Sequence, residues 1–118
     1  MKIVCASTVF QVSDLEAAIR FYRDVLGFTE DFRFGPYAGV HRDEVQLHLC
    51  AHQVWKRPVG GGAVVVFSDE VDQFCAEIRA RGARIEADPA DQAYGMRDFV
   101  VSDPDGNLLT FARSAEEK

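Results

Sequence analysis

The sequence predicts an α+β fold: two tandem βαβββ modules whose curved mixed sheets surround a cleft, with the helices outside. Three observations carry that prediction. The order strand, helix, strand, strand, strand occurs twice along 118 residues. Segments with two-residue alternation are separated by segments with three- and four-residue apolar spacing, the periods of strands and helices. Gly60-Gly61-Gly62 stands between the halves, and three consecutive glycines cannot form a strand interior. Neither half can bury both faces of its sheet alone, so the two make one domain. Module one covers about 1–52, the linker about 53–62 and module two about 63–113.

The first strand is expected at 3–12, where Thr8, Val9, Phe10 and Val12 favour extended backbone. Ser13, three residues before Glu16, has the form of a capping box opening a helix to about Val25. Leu15, Ala18, Ile19, Tyr22 and Leu26 give it one apolar stripe. Gly27 stands where a left-handed cap ends such a helix. Strands at 28–34, 37–42 and 44–50 follow, turned by Gly35-Pro36 and Arg42-Asp43. In the last of these Val45, Leu47 and Leu49 point to the helix, and Gln46, His48 and Cys50 point the other way. Module two repeats the order: a strand at 63–68 and a helix at 70–81 with Val71, Phe74, Cys75 and Ile78 on one face, stopped by Gly82. Strands follow at 84–87, 96–102 and 108–113. Asp103-Pro104-Asp105-Gly106-Asn107 has the composition of a tight turn.

Composition narrows the partners. A net charge of −6 repels phosphate backbones, so nucleic acid is not an expected partner. No apolar run approaches a membrane span, and the N-terminus lacks the long apolar stretch of a signal peptide. Cys5, Cys50 and Cys75 are odd in number and widely spaced, which fits reduced thiols in a cytoplasmic protein. A small molecule, neutral or cationic, is the partner this charge favours.

Two stretches carry a resemblance. Residues 10–28, with Asp14-Leu15, Phe21-Tyr22 and Leu26-Gly27-Phe28, resemble the opening signature of the vicinal-oxygen-chelate superfamily of glyoxalases, bleomycin-resistance proteins and extradiol dioxygenases. Residues 99–111, around Asp103-Pro104-Asp105-Gly106-Asn107, resemble its closing hairpin. Within the superfamily, 26–32 and Tyr37-Ala38-Gly39-Val40 look most like bleomycin-resistance proteins. Both signatures sit on structural turns and specify the fold rather than an activity.

The resemblance implies four metal-ligand positions on the cavity sides of strands, occupied in the family's enzymes by His and Glu. Here they correspond to Ser7, His48, Ala63 and Thr110. One imidazole, two neutral hydroxyls and a methyl group do not make a transition-metal site. No metal or other cofactor is expected. His41 and His52 do not complete the set, and a His48–Cys50 pair would need a further ligand.

The cleft lining is read as Phe32, Phe34, Tyr37, His41, His48, Phe67, Tyr94, Arg97 and Thr110, with Trp55 in the linker. Aromatic faces of this kind suit stacking on a planar ligand. No phosphate-binding loop and no nucleophile elbow is present. The favoured function is non-enzymatic binding and sequestration of a bleomycin-like antibiotic in a metal-free cleft. The resemblance implies a homodimer. It does not imply exchange of the first strand, because Thr8 stands where bleomycin-resistance proteins often carry a proline. The alternatives are a metal-dependent lyase, isomerase, dioxygenase or thiol transferase, and a metal-free enzyme using His48 or Cys50.

Overall fold

A computed structural model describes residues 1–52 and 56–116. The elements are β1 Thr8–Gln11, α1 Leu15–Arg20, a π-helical turn at Phe21–Val25, β2 Thr29–Phe34, β3 Tyr37–Arg42 and β4 Val45–Cys50. Module two follows with β5 Ala63–Phe67, α2 Val71–Ala80, β6 Arg84–Asp91, β7 Met96–Ser102 and β8 Leu108–Ser114. They form two four-stranded mixed sheets, ordered β1-β4-β3-β2 and β5-β8-β7-β6. In each, the first strand runs parallel to the last and the remaining pairs are antiparallel. The predicted tandem βαβββ architecture is therefore present.

Each sheet presents one face to its helix. Leu47 and Leu49 of β4, Phe10 of β1, and Ala18, Ile19 and Tyr22 of the first helical segment are fully buried. Phe99, Val101 and Leu109 do the same with Val71 and Ile78 in module two. All of them belong to one continuous apolar core.

Local chemistry departs from the sequence reading in three places. The N-cap of α1 is Asp14, not Ser13; its carboxylate accepts from the Ala17 N–H at 3.1 Å. Glu16 is then free to pair with Arg33 across the module. The strand expected from residue 3 begins only at Thr8. Its ladder partner is β4, with Thr8 opposite Leu47, and β4 starts at Val45. Residues before Ala6 have run past the end of their partner, so Ile3 and Val4 stand exposed. The strand expected at 84–87 continues to Asp91. It crosses Pro89, which an edge strand tolerates because its outer N–H has no ladder partner. Gly27 does end the first helix, with φ +79°.

The two modules are joined by a buried polar staple. The Tyr22 hydroxyl donates to the Asp103 carboxylate at 3.0 Å. The same carboxylate accepts from the Asp105 and Asn107 backbone N–H groups and from the Asn107 side-chain amide, each at 2.9 Å. Asn107 also donates to the Gln11 carbonyl at 3.1 Å and accepts from the Gly62 N–H at 2.8 Å. Turn residues at one end of module two thus hold both β1 and the helix of module one.

This staple sets an alkaline limit on stability. Burial first, then the Asp103 charge, hold the Tyr22 phenol well above its ordinary 10.0. The unfolded chain ionises Tyr22 near that ordinary value, while the folded chain keeps it neutral. The contribution is complete below the unfolded pKa and is lost as pH rises toward the folded one. Urea unfolding should give a level stability from about pH 7 to 9 and a fall above about pH 10. The fall should be shallower in Tyr22→Phe.

Candidate functional site

On the side away from the helices, the register of three strands assembles an aromatic shelf. Tyr37 lies opposite Cys50, Gly39 opposite His48 and His41 opposite Gln46. Phe34 lies opposite Tyr37, and Phe32 opposite Gly39. Because residues opposite each other share a face, Phe32, Phe34, Tyr37, His41 and His48 come together there, as does Gln46.

Phe32, Tyr37 and His48 form a three-ring cluster. Phe32 and Tyr37 stack with centroids 6.3 Å apart and 18° between planes. Both meet the His48 ring edge-on at 5.3 Å. The cluster exists because residue 39 is glycine: a Cβ there would fall 2.1 Å from a Phe32 ring carbon. The Phe32 ring occupies the room the missing side chain leaves.

The Tyr37 hydroxyl and His48 Nδ1 are 2.7 Å apart. Burial, with a smaller contribution from Cys50, raises the Tyr37 pKa, so the phenol keeps its proton. Donation by Tyr37 to Nδ1 would place the ring proton on Nε2, a directed donor for a ligand acceptor. Tyr37→Phe should free the imidazole to take either tautomer. A ligand bonded to Nε2–H should then bind about threefold to tenfold more weakly, measured by calorimetric titration.

A cavity of about 420 Å³ beside the cluster is lined by Asp31, Phe32, Gly39, Val40, His41, Gln46 and His48. His41 Nδ1 lies 2.5 Å from an Asp31 carboxylate oxygen. Every residue lining this cavity belongs to module one.

The second sheet offers a plainer face. Val65 lies opposite Thr110, and Phe67 opposite Ala112. Ala112 in turn lies opposite Asp98. Asp98 is buried on this face, and its carboxylate accepts from Tyr94 O–H and from Gln92 Nε2–H. Tyr94 is folded onto the same face from the turn between β6 and β7; that hydrogen bond raises the pKa of its phenol.

One predicted lining residue belongs elsewhere. Arg97 is one position off the parity of Asp98, lies opposite Arg113, and reaches the helix side. There it forms a two-pronged ion pair with Asp72 of α2, at 2.7 and 2.8 Å. Asp31, which lines the cavity, and Asp98, buried on the open face of the second sheet, are acids of these faces that the sequence reading missed. Trp55 lies outside the described residues.

The four positions that the resemblance assigns to metal ligands can be tested by their donor atoms. Ser7 bonds Gln46 through its hydroxyl at 3.2 Å. His48 bonds Tyr37. Ala63 and Thr110 lie on the open face of β5 and β8 and offer a methyl group and a neutral hydroxyl. These residues do not fit a divalent transition metal. Among the described residues no cluster of three His, Cys, Asp or Glu side chains is arranged to hold one. The Cys50 thiol, opposite Tyr37 on the same face, is buried and donates to the His52 carbonyl at 2.9 Å.

Comparison with known proteins adds an independent line. The model of the Glyoxalase/Bleomycin resistance protein/Dioxygenase superfamily matches residues 5–111. A bleomycin resistance protein of Geobacillus stearothermophilus is 30% identical over 117 residues, spanning 85% of this chain and 89% of the relative. Among solved structures, the bleomycin-binding protein of Streptomyces verticillus in complex with copper(II)-bleomycin is 30% identical, with a TM-score of 0.73 and 99% of both chains covered. An antibiotic-binding protein from Streptomyces sp. CB03234 is 26% identical with a TM-score of 0.80, covering 98% of this chain and 100% of that one.

Proposed function

This chain belongs to the glyoxalase/bleomycin-resistance/dioxygenase superfamily, and within it we propose a binding protein that sequesters a bleomycin-like antibiotic without transforming it. The observation that carries the reading is the Phe32–Tyr37–His48 cluster on an open sheet face, where the family's metal positions hold Ser7, Ala63 and Thr110. Aromatic faces and a directed imidazole N–H bind a planar, hydrogen-bonding ligand; they supply no Lewis acid and no activated nucleophile. Phe34, His41, Phe67, Tyr94 and Thr110 extend the ligand surface on the two sheets. The bleomycin resistance relative and the bleomycin-binding structure support the ligand class.

The working form is a homodimer. Phe34 is 81% exposed, Phe67 75% and Val65 55%, a poor state for apolar side chains that share open sheet faces. The cavity at His48 draws its walls from one module only. A second copy would cover both faces and supply the opposite wall. The protein works in the cytoplasm, where its three free thiols stay reduced; no helix of the described residues is long and apolar enough to cross a membrane.

Calorimetric titration with metal-free and with copper-loaded bleomycin tests the reading. Saturable binding near one ligand per chain, with bleomycin recovered unchanged, is the expected result. Failure of both forms to bind removes bleomycin as the ligand; recovery of altered antibiotic removes the non-enzymatic reading.

A further inference from the structure

A second cavity, of about 670 Å³, runs between the modules and shares only Phe67 with the site proposed above. Phe28, Val66, Phe74 and Phe111 give it an apolar floor. Its rim is acidic: Asp43 and Glu44 come from the β3–β4 turn, Asp69 and Glu70 from the approach to α2, and Glu77 from the same helix.

These carboxylates differ from many of those elsewhere on the chain. Glu16, Asp24, Glu30, Asp72, Glu86, Asp88 and Asp91 pair with arginines. Asp43, Glu44, Asp69 and Glu70 make no ion pair and no side-chain hydrogen bond among the described residues, and Glu77 only accepts from Gln73. Helix capping does not account for them. Glu70 occupies the N-cap of α2, but its side chain makes no capping bond. Asp43 and Glu44 are on a hairpin, and Glu77 is well inside the helix.

The groove already shows how it receives a cation. The Arg42 guanidinium carbon lies 5.0 Å from the Phe74 ring centroid, while one of its nitrogens donates to the Leu26 carbonyl at 2.7 Å. An aromatic floor that accepts a guanidinium, with Arg42 as the one cation of the lining against five rim carboxylates that form no ion pair, is complementary to one ligand chemistry. We infer that this groove binds an organic cation with an apolar body, an aromatic or aliphatic amine or guanidine. The body lies on Phe74 and Phe111 and the charged head among the rim carboxylates. Its volume is that of a small-ligand site.

The test uses the full chain and dansylcadaverine, a fluorescent aromatic amine, with its N-acetylated, uncharged form as control. The amine should bind saturably at one per chain, with blue-shifted emission, and the acetylated form at least tenfold more weakly. Asp69→Asn/Glu70→Gln and, separately, Asp43→Asn/Glu44→Gln should each weaken the amine about fivefold or more, with unchanged thermal melts. Gly39→Val, which disturbs only the aromatic shelf of the first sheet, should leave it unchanged, so this groove and the antibiotic site fail independently. The inference is overturned by absent amine binding, by equal affinity of the two probes, or by indifference to both carboxamide pairs. Loss of amine binding in Gly39→Val overturns it as well. So does a shift of the carboxamide variants' sedimentation to a different oligomer, which would give the groove to a second copy of the chain.

Discussion

Asp103→Ala should cost about 4 kcal/mol of unfolding free energy. The side chain is only 1% exposed and accepts from four donors: the Tyr22 hydroxyl, two backbone N–H groups and the Asn107 amide. Truncation removes the acceptor and leaves the donors buried. Each orphaned donor costs about 1–3 kcal/mol where water cannot reach it, and the total falls short of the full sum because the turn relaxes and admits solvent. Tyr22→Phe removes one donor and leaves Asp103 with three, so its cost should stay near 1–2 kcal/mol. Urea titrations at pH 7 read both. If Asp103→Ala unfolds within 1 kcal/mol of the parent protein, the staple does not hold the modules together.

The residues of this staple are visible in the sequence, but their role is not. Asp103-Pro104-Asp105-Gly106-Asn107 reads as a turn because Gly106 and Asn107 suit it. Nothing local says that Asp103 bonds a tyrosine 81 positions earlier. The elements themselves were legible wherever burial imposes a period. The β4 alternation separated Leu47 and Leu49 from His48 correctly because one face packs on a helix. It failed where no burial enforces it. β6 is an exposed edge strand without apolar alternation, so nothing in its second half, around Pro89, marks it as a strand. Residues 3–7 have a strand's alternation, and what they lack is the neighbour that would pair with them.

The same logic divides the site. Tyr37, His41 and His48 were assignable to one face because β3 and β4 have clear parity. Arg97 and Asp98 are adjacent in a strand, so a parity error exchanges them: Arg97 goes to Asp72 on the helix, and Asp98 meets Tyr94 on the open face. Asp31 was missed for a different reason. Register shifts at the bulge between Glu30 and Phe32, and an extra residue breaks the period-two rule that sequence reading depends on.

Gly39 leads to the sharpest test of the antibiotic site. Its φ is not in the left-handed region, so the backbone would accept any residue; only space forbids one. A valine at 39 places its Cβ 2.1 Å from the Phe32 ring and must drive that ring off the sheet. The ring lies on an open face, so the displacement is outward and the core at Leu47 and Leu49 is untouched. Gly39→Val should therefore melt within a few degrees of the parent protein, since a half-exposed ring contributes little to the fold. The binding surface loses the Phe32 face and the edge-on contact that orients His48. Burial of a phenyl group against a ligand is worth about 1.5–3 kcal/mol, so bleomycin affinity should fall about tenfold to a hundredfold. Gly39→Ala, carrying the same Cβ without the branch, should lose somewhat less. Calorimetry on the three proteins separates the possibilities. Unchanged affinity in Gly39→Val places the ligand away from the shelf. A collapsed melt makes Phe32 part of the fold and not of the site. Retained stability with graded loss of affinity assigns the shelf to the ligand.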